Sequence, residues 1–504
     1  MSMFDAPLIR NPLGWAQLML MGGWKRLWAV AGLTAAGIIV CSVMIYRAVN
    51  PNLSPFAQSA VGVLMMIEAV LLFFIASGQI KKALLRDFTT DMITSHRLSA
   101  MSGYTAVFGY VTGPITQILT MSAVIWVAMH VFISMVTPTA GVGQVSMLAI
   151  PSVLYAIMLC AAATLWSLGV LIGLSTRGKA GVLGVVIFLA ISNNTSMFKI
   201  VPGLYVLFPL TEIVTNNVTS VGSISFDAEA LLASALIQTT LTLVFVIAAA
   251  RKFHRDDVPA FTPTLAHILL AICSLTSAVA FKYWRPSVTG MIVPVEFTVD
   301  PGNQMLMTLA SLALLSLLPV AVGASAEARW AKRAAADAQF APRRPAAFYA
   351  SAATATAVAL GIMLVVTGKA FQGQLKEATG LSQTADSAMV MALAFFLAMV
   401  TMSGLFRYCY GIGMGGLTVG SFAIALLWLA PLLAEAAWSV LMDVHASREY
   451  SVLFTISPIG TWAAVLKNLD APVMAGLGVQ GVIAVGALML AQRVRRRRRI
   501  ASTT

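Results

Sequence analysis

A chain of 504 residues that is 59% hydrophobic and only 10% charged, with a mean hydropathy of +0.87, does not belong to the ordinary water-soluble globular class. Its net charge of +13 comes from 32 basic against 19 acidic residues. Apolar runs of about 18 to 25 residues, enough for a helix to cross a roughly 30 Å hydrocarbon layer, recur at about twelve places, and their lack of period-two alternation excludes a closed β-barrel.

The predicted spans are residues 27–46, 57–79, 103–133, 148–173, 180–193, 229–250, 264–281, 304–326, 346–367, 387–406, 416–437 and 472–492. Ahead of them, IRNPLGWAQLMLMGGWK (residues 9–25) is too broken to span, and its two Trp residues and basic flanks suit an interfacial helix. The first span is as long as a full crossing and no small-residue cleavage pattern follows it, so it is expected to stay as an anchor. Glu68 lies near the middle of the second span. A carboxyl group facing lipid there costs about 2.5 to 3.5 kcal/mol, so Glu68 is expected to face the bundle interior, either on a pathway or in a structural hydrogen bond.

Between the second and third spans lies IKKALLRDFTTDMITSHRLS (residues 80–99). Ile80, Leu84, Phe88 and Met92 recur every fourth residue, with Lys82, Arg86 and Thr90 pointing away. This predicts a helix lying along the inner membrane surface, where it could meet a partner, or a plain solvated connector. His130 sits near the outer end of the third span, where a structural role is the simpler reading. The turn GLSTRGKA (residues 173–180) falls one residue short of a phosphate-binding loop, because Ala180 replaces the hydroxyl that would hold magnesium.

The polar stretch RKFHRDDVPAFTP (residues 251–263) marks the midpoint, with six spans on each side. Each half ends in a comparable irregularity. Residues 194–228 and 443–471 are apolar but interrupted by proline, and both read as re-entrant or surface-lying segments. Six spans restore the starting side, so the halves are expected to be parallel repeats. Glu435 sits near the outer end of the eleventh span, and a structural role is favoured for it too. Gly476, Gly478 and Gly481 spell G-x-G-x-x-G inside a span, where small residues let helices approach, as Gly411, Gly413, Gly415, Gly416 and Gly420 also suggest.

With an inside N-terminus, 24 of the 32 basic residues fall on the inner side, including the RVRRRRR run at residues 493–499. That asymmetry supports twelve spans with both termini cytoplasmic in an inner (plasma) membrane. The basic run reads as attraction to anionic lipid headgroups rather than to nucleic acid, since no aromatic-interleaved basic fold accompanies it. Cys41, Cys160, Cys273 and Cys409 are scattered and imply neither disulfides nor a zinc site. No catalytic motif, metal-ligand cluster or cofactor fingerprint appears, so a transport protein is expected rather than an enzyme.

Three segments together resemble the permease subunits of ABC-2 type transporters. Residues 12–26 are similar to that family's connecting helix. Residues 81–99, followed by GYTAVFGYVTGPITQIL, are similar to its coupling region, and residues 198–214 to its outer re-entrant pair. Arg86, Asp87, Thr89, Thr90 and Asp91 stand where the family has an acidic run followed by Gly-Thr, and the second half's counterpart loop, residues 327–345, is a poor copy. The resemblance implies an all-α polytopic protein: an interfacial N-terminal helix at residues 1–26, one six-helix half at 27–256 and another at 257–504. It further implies that a separate ABC ATPase hydrolyses ATP and docks near Lys82, Arg86, Asp87, Asp91 and Arg97. Glu68, His130 and Glu435 are the candidate intramembrane pathway residues. An ion- or proton-coupled carrier of the twelve-helix facilitator type is the alternative, kept open by Glu68.

Overall fold

The computed structural model describes residues 11–48, 53–99, 101–135, 144–176, 228–254, 260–262, 264–269, 271–272, 320, 322, 324, 384–412, 425–441, 450–466, 469 and 471–501. Among these the secondary structure is helical throughout, with no strand. Seven helices are long and apolar enough to cross a membrane: Gly23–Met44, Ala60–Thr89, Gly103–Ser134, Tyr155–Ser175, Ala235–His254, Met389–Tyr410 and Val473–Val494. The chain is therefore an all-helical membrane protein. The expected spans at 180–193 and 346–367, almost all of the segment at 194–228, and the loop at 327–345 lie outside the described residues, as does most of 264–281 and 304–326.

The chain divides into two compact units, with the main boundary between Ala260 and Phe261. In the first, α1 (Pro12–Leu20) precedes α2 (Gly23–Ala48). Asn11 caps α1 by accepting from the Leu13 and Gly14 N–H groups at 3.1 Å each, and Pro12 opens the helix where its missing N–H costs nothing. The turn into α2 uses Gly22 at φ 101° and Gly23 at φ 61°, a left-handed backbone that glycine adopts freely.

The second span runs from Leu53 to Thr89 as α3 (Leu53–Ala69), a π-helical segment (Val70–Ile75) and α4 (Ala76–Thr89). After it come α5 (Met92–Leu98), α6 (Gly103–Ser134), α7 (Gln144–Thr176) and α8 (Ala228–His254). α6 is the hub, packing on α1, α2, α3, α4, α7 and α8. Gly109 and Gly113 make the α1 contact close. A Cβ on Gly109 would stand 2.8 Å from Asn11 Oδ1, and one on Gly113 would stand 2.7 Å from Gln17 Cβ.

The π segment decides which way the second span's polar groups point. Glu68 and Asp87 are 19 positions apart, which on an uninterrupted α-helix is five turns plus one residue, about 100° out of phase. One extra residue taken up in a widened π turn removes that offset. Both carboxyl groups consequently meet α6, Glu68 at Ser122 and Asp87 at Tyr110. The widened turn is held by a side chain, since Trp166 of α7 donates to the Leu72 carbonyl at 2.8 Å.

Residues 80–99 differ from the single surface-lying helix that their periodicity predicts. α4 simply continues the span, with Ile80, Ala83 and Leu84 buried in the bundle. The helix ends where the Thr89 and Thr90 hydroxyls donate back to the Arg86 carbonyl at 2.8 and 2.9 Å. Asp91 then takes a left-handed conformation at φ 56°, which short polar side chains tolerate. Its carboxylate accepts from the Thr94 hydroxyl at 2.7 Å and starts α5 in a new direction. Met92, placed beyond this break, is exposed rather than part of the apolar face.

The second unit contains α9 (Thr384–Gly411), a second π segment (Ala425–Leu429), α10 (Ala430–Leu441), α11 (Val452–Ile456), α12 (Pro458–Leu466) and α13 (Val473–Ala501). Phe395, Met399, Met402, Trp428, Trp462 and Leu477 form its core, with Phe395 and Trp462 stacked at 6.0 Å. α11 and α12, 5 and 9 residues long, are too short to cross a hydrocarbon layer of roughly 30 Å. Of the glycines in α13, only Gly476 makes a close approach, its hypothetical Cβ standing 2.3 Å from Thr455 Oγ1. Gly478 and Gly481 face open space, so the expectation of tight packing fails for them. The reason is register: Gly476 shares its face with Leu477 and buried Gln480, whereas Gly478 lies on the exposed side.

Candidate functional site

Among the described residues, two buried carboxyl sites lie in the first unit. The first surrounds Asp87, whose side chain is 1% exposed. Its Oδ2 accepts from the Tyr110 hydroxyl at 2.8 Å and from Gln17 Nε2 at 3.4 Å. Arg86 Nε and His96 Nε2 each stand 3.7 Å from its oxygens. Gln17 is a bridge, because its Oε1 also accepts from Arg86 Nη2 at 2.7 Å. Nearby, Asn11 Nδ2 donates to the Thr105 carbonyl at 2.7 Å and Gln117 Nε2 to the Met21 carbonyl at 2.7 Å. The result is a hydrogen-bonded joint of α1, α4, α5 and α6.

Of the residues assigned to partner contact, Lys82 and Asp91 are exposed, and Arg86 is 40% exposed by side chain. Arg97 is half-buried. Asp87 differs from the others, since a carboxylate closed off by Tyr110 and Gln17 positions the joint and offers no surface. Sequence reasoning missed Gln17 and Tyr110. It also passed over Asn11, for which the Asn-Pro pair is an N-cap signal; Gln17 and Tyr110 are ordinary residues whose convergence depends on the π segment and the glycine contact.

The second site is Glu68, fully buried in the last turn of α3. Its Oε1 accepts from the Ser122 hydroxyl of α6, and Ser122 Oγ lies 3.0 Å from the Tyr155 hydroxyl of α7. Its other oxygen, Oε2, is buried with no hydrogen-bond partner among the described residues. One helical turn on from Ser122, Trp126 packs on Tyr155 at 6.0 Å and on His130 at 4.6 Å between ring centroids. His130 Nδ1 donates to the Trp126 carbonyl at 2.9 Å, since a carbonyl only accepts. In the neutral ring Nε2 then accepts from Ser152, also at 2.9 Å.

Glu435, in the second unit, is bonded differently. Its Oε1 accepts from the Ser451 N–H at 2.9 Å and its Oε2 from the Ser451 hydroxyl. Ser451 in turn caps α11 through the Leu453 N–H at 3.1 Å. Glu435 thus ties α10 to the start of α11.

An apolar cavity of about 400 Å³ opens between α2, α3 and α6, lined among others by Gly37, Cys41, Leu64, Ile67 and Ile125. Among the described residues no three metal-ligating side chains converge. The chain matches no family model, no curated protein and no solved structure. Fold and sites define an all-helical membrane protein with one jointed carboxylate and one incompletely bonded carboxyl group in the same unit.

Proposed function

We propose that this protein is the transmembrane permease subunit of an ATP-driven exporter of the ABC-2 type, seated in the inner (plasma) membrane with both termini cytoplasmic and driven by a separate ABC ATPase. The observation that carries the reading is the Asp87 joint. It fastens the short apolar helix α1 to the ends of two spans, beside exposed Lys82 and Asp91. The side rich in basic residues is the cytoplasmic one, and Lys81, Lys82, Arg86, Arg251 and Lys252 all lie at this end of their helices. An ATPase pressing on the Lys82–Arg86–Asp91 surface would move α1, α4 and α6 as one body, which suits rigid-body rocking of a bundle. The two halves would be parallel six-helix repeats, with the basic tail at residues 493–499 held by anionic headgroups.

The test is affinity purification from native membranes, followed by vanadate-sensitive ATP hydrolysis in the eluate. The joint variant Lys82→Glu/Asp91→Lys is expected to lose the ATPase while keeping its elution volume. An ATPase that never copurifies, or one indifferent to this variant, overturns the proposal. One observation favours a second reading, an ion- or proton-coupled carrier: the unpartnered oxygen of Glu68.

A further inference from the structure

The Glu68 site has two properties that a purely structural carboxyl group lacks. The first is that no counter-charge stands beside it among the described residues. α6 and α7, which supply Ser122 and Tyr155, contain no Lys, Arg, Asp or Glu at all. Their titratable side chains are Tyr104, Tyr110, His130, Tyr155 and Cys160. α2 offers only Cys41 and Tyr46 between its basic ends, and α8 carries its Arg251, Lys252 and His254 in its last turn, beside the Asp87 joint. Tyr155 is the titratable group that faces Glu68 directly. A buried carboxylate with no cation beside it and one orphaned oxygen carries a desolvation cost that its single hydroxyl bond offsets only in part.

The second property is a hydroxyl chain that runs in either direction. Ser122 has one proton to give and two lone pairs to receive with. With Glu68 ionised, Ser122 donates to Glu68 and accepts from Tyr155. With Glu68 protonated, the carboxyl O–H donates to Ser122, whose own proton turns to Tyr155. No heavy atom has to move between the two arrangements. Beyond Tyr155, the Trp126–His130–Ser152 group continues the polar line along α6 and α7, eight residues or about 12 Å further toward the C-terminal end of α6.

We propose that Glu68 is a proton-binding site in the membrane interior, that Ser122 and Tyr155 are the relay through which its proton exchanges, and that the ligand is H⁺ rather than a metal cation. A bare metal ion needs several oxygen ligands, and this site presents one carboxyl group and two hydroxyls. Glu68 and Asp87 are brought onto the same helix face by the π segment, so a change of charge at Glu68 is felt on the span that ends in the joint. The proposal is independent of the ATPase reading, and its experiment needs neither substrate nor partner.

The experiment uses the full chain in lipid vesicles and dicyclohexylcarbodiimide, an apolar reagent. The carboxyl oxygen adds to the carbodiimide carbon while the acid proton passes to its nitrogen, so only a protonated group within reach of lipid reacts. Peptide mass spectrometry is expected to find the adduct on Glu68, strong in acid, declining toward alkaline pH and lost in Glu68→Gln. Ser122→Ala removes the donor to the ionised form, so the pH at which labelling declines should move upward. Tyr155→Phe should move it less in the same direction. The Glu68→Gln chain should keep its elution volume and unfolding temperature, which separates lost chemistry from lost folding. No adduct on Glu68 at any pH overturns the site, and a pH profile unmoved by Ser122→Ala overturns the relay.

Discussion

Glu68 and Glu435 occupy similar settings and are treated in opposite ways. Each lies within a helix turn or two of a π segment, Val70–Ile75 or Ala425–Leu429. In each π segment a backbone carbonyl is taken by a side chain from elsewhere in the same unit: Leu72 by Trp166 at 2.8 Å, Trp428 by Ser457 at 2.6 Å. The carboxyl groups then diverge. Both oxygens of Glu435 are bonded to Ser451, whereas Glu68 has one oxygen bonded and one orphaned in a fully buried place. A buried acid with every acceptor satisfied is a fastening. One with an acceptor to spare and a reversible hydroxyl neighbour is a group whose charge can change.

The largest expected effect tests the fastening. Glu435→Ala leaves the Ser451 N–H and hydroxyl without their acceptors, and bonds to a charged group contribute about 1.5 to 3 kcal/mol each. A loss of about 3 kcal/mol or more is expected, read as faster hydrogen exchange through α11. Gly476→Ala should cost about 1 to 3 kcal/mol by overpacking against Thr455, while Gly478→Ala, whose new methyl meets open space inside a helix, should raise stability by about 0.5 to 1 kcal/mol. Smaller and matched effects are expected from the two π anchors. Trp166→Phe and Ser457→Ala each orphan one buried carbonyl, at about 1 to 2 kcal/mol by thermal unfolding. Only Trp166→Phe should also change carbodiimide labelling of Glu68, because only that π turn sets the direction of an unsatisfied acid.

The seven spans were legible because twenty apolar residues in a row have few other uses, and their run lengths survive any detail of packing. Glu68 was legible for the same reason, as a charge in the wrong solvent. What the sequence concealed was phase. A helical wheel drawn through residues 57–99 assumes 3.6 residues per turn throughout, so it puts Arg86 rather than Asp87 in phase with Glu68. The π segment shifts everything after Ile75 by about one residue, about 100°, and Asp87 turns inward to Tyr110. The sequence VLLFFI announces no such shift, because the anchor that holds it, Trp166, lies 94 positions away. Gln17 and Tyr110 were hidden likewise, since neither is unusual until α1 settles on Gly109 and Gly113.

The smallest expected effect on stability is the most informative. Glu68→Gln keeps the shape of the carboxyl group and removes its charge. In acid, where the carboxyl group is uncharged in the folded and the unfolded chain alike, the amide oxygen accepts the same bond from Ser122, and the unfolding free energy should move by less than about 0.5 kcal/mol. Glu435→Gln should behave differently, losing about 1 to 2 kcal/mol, because its amide nitrogen cannot accept one of the two hydrogen bonds that Ser451 donates. Equal losses for the two variants would mean that the orphaned oxygen of Glu68 has no consequence, and the contrast between the two acids would fall.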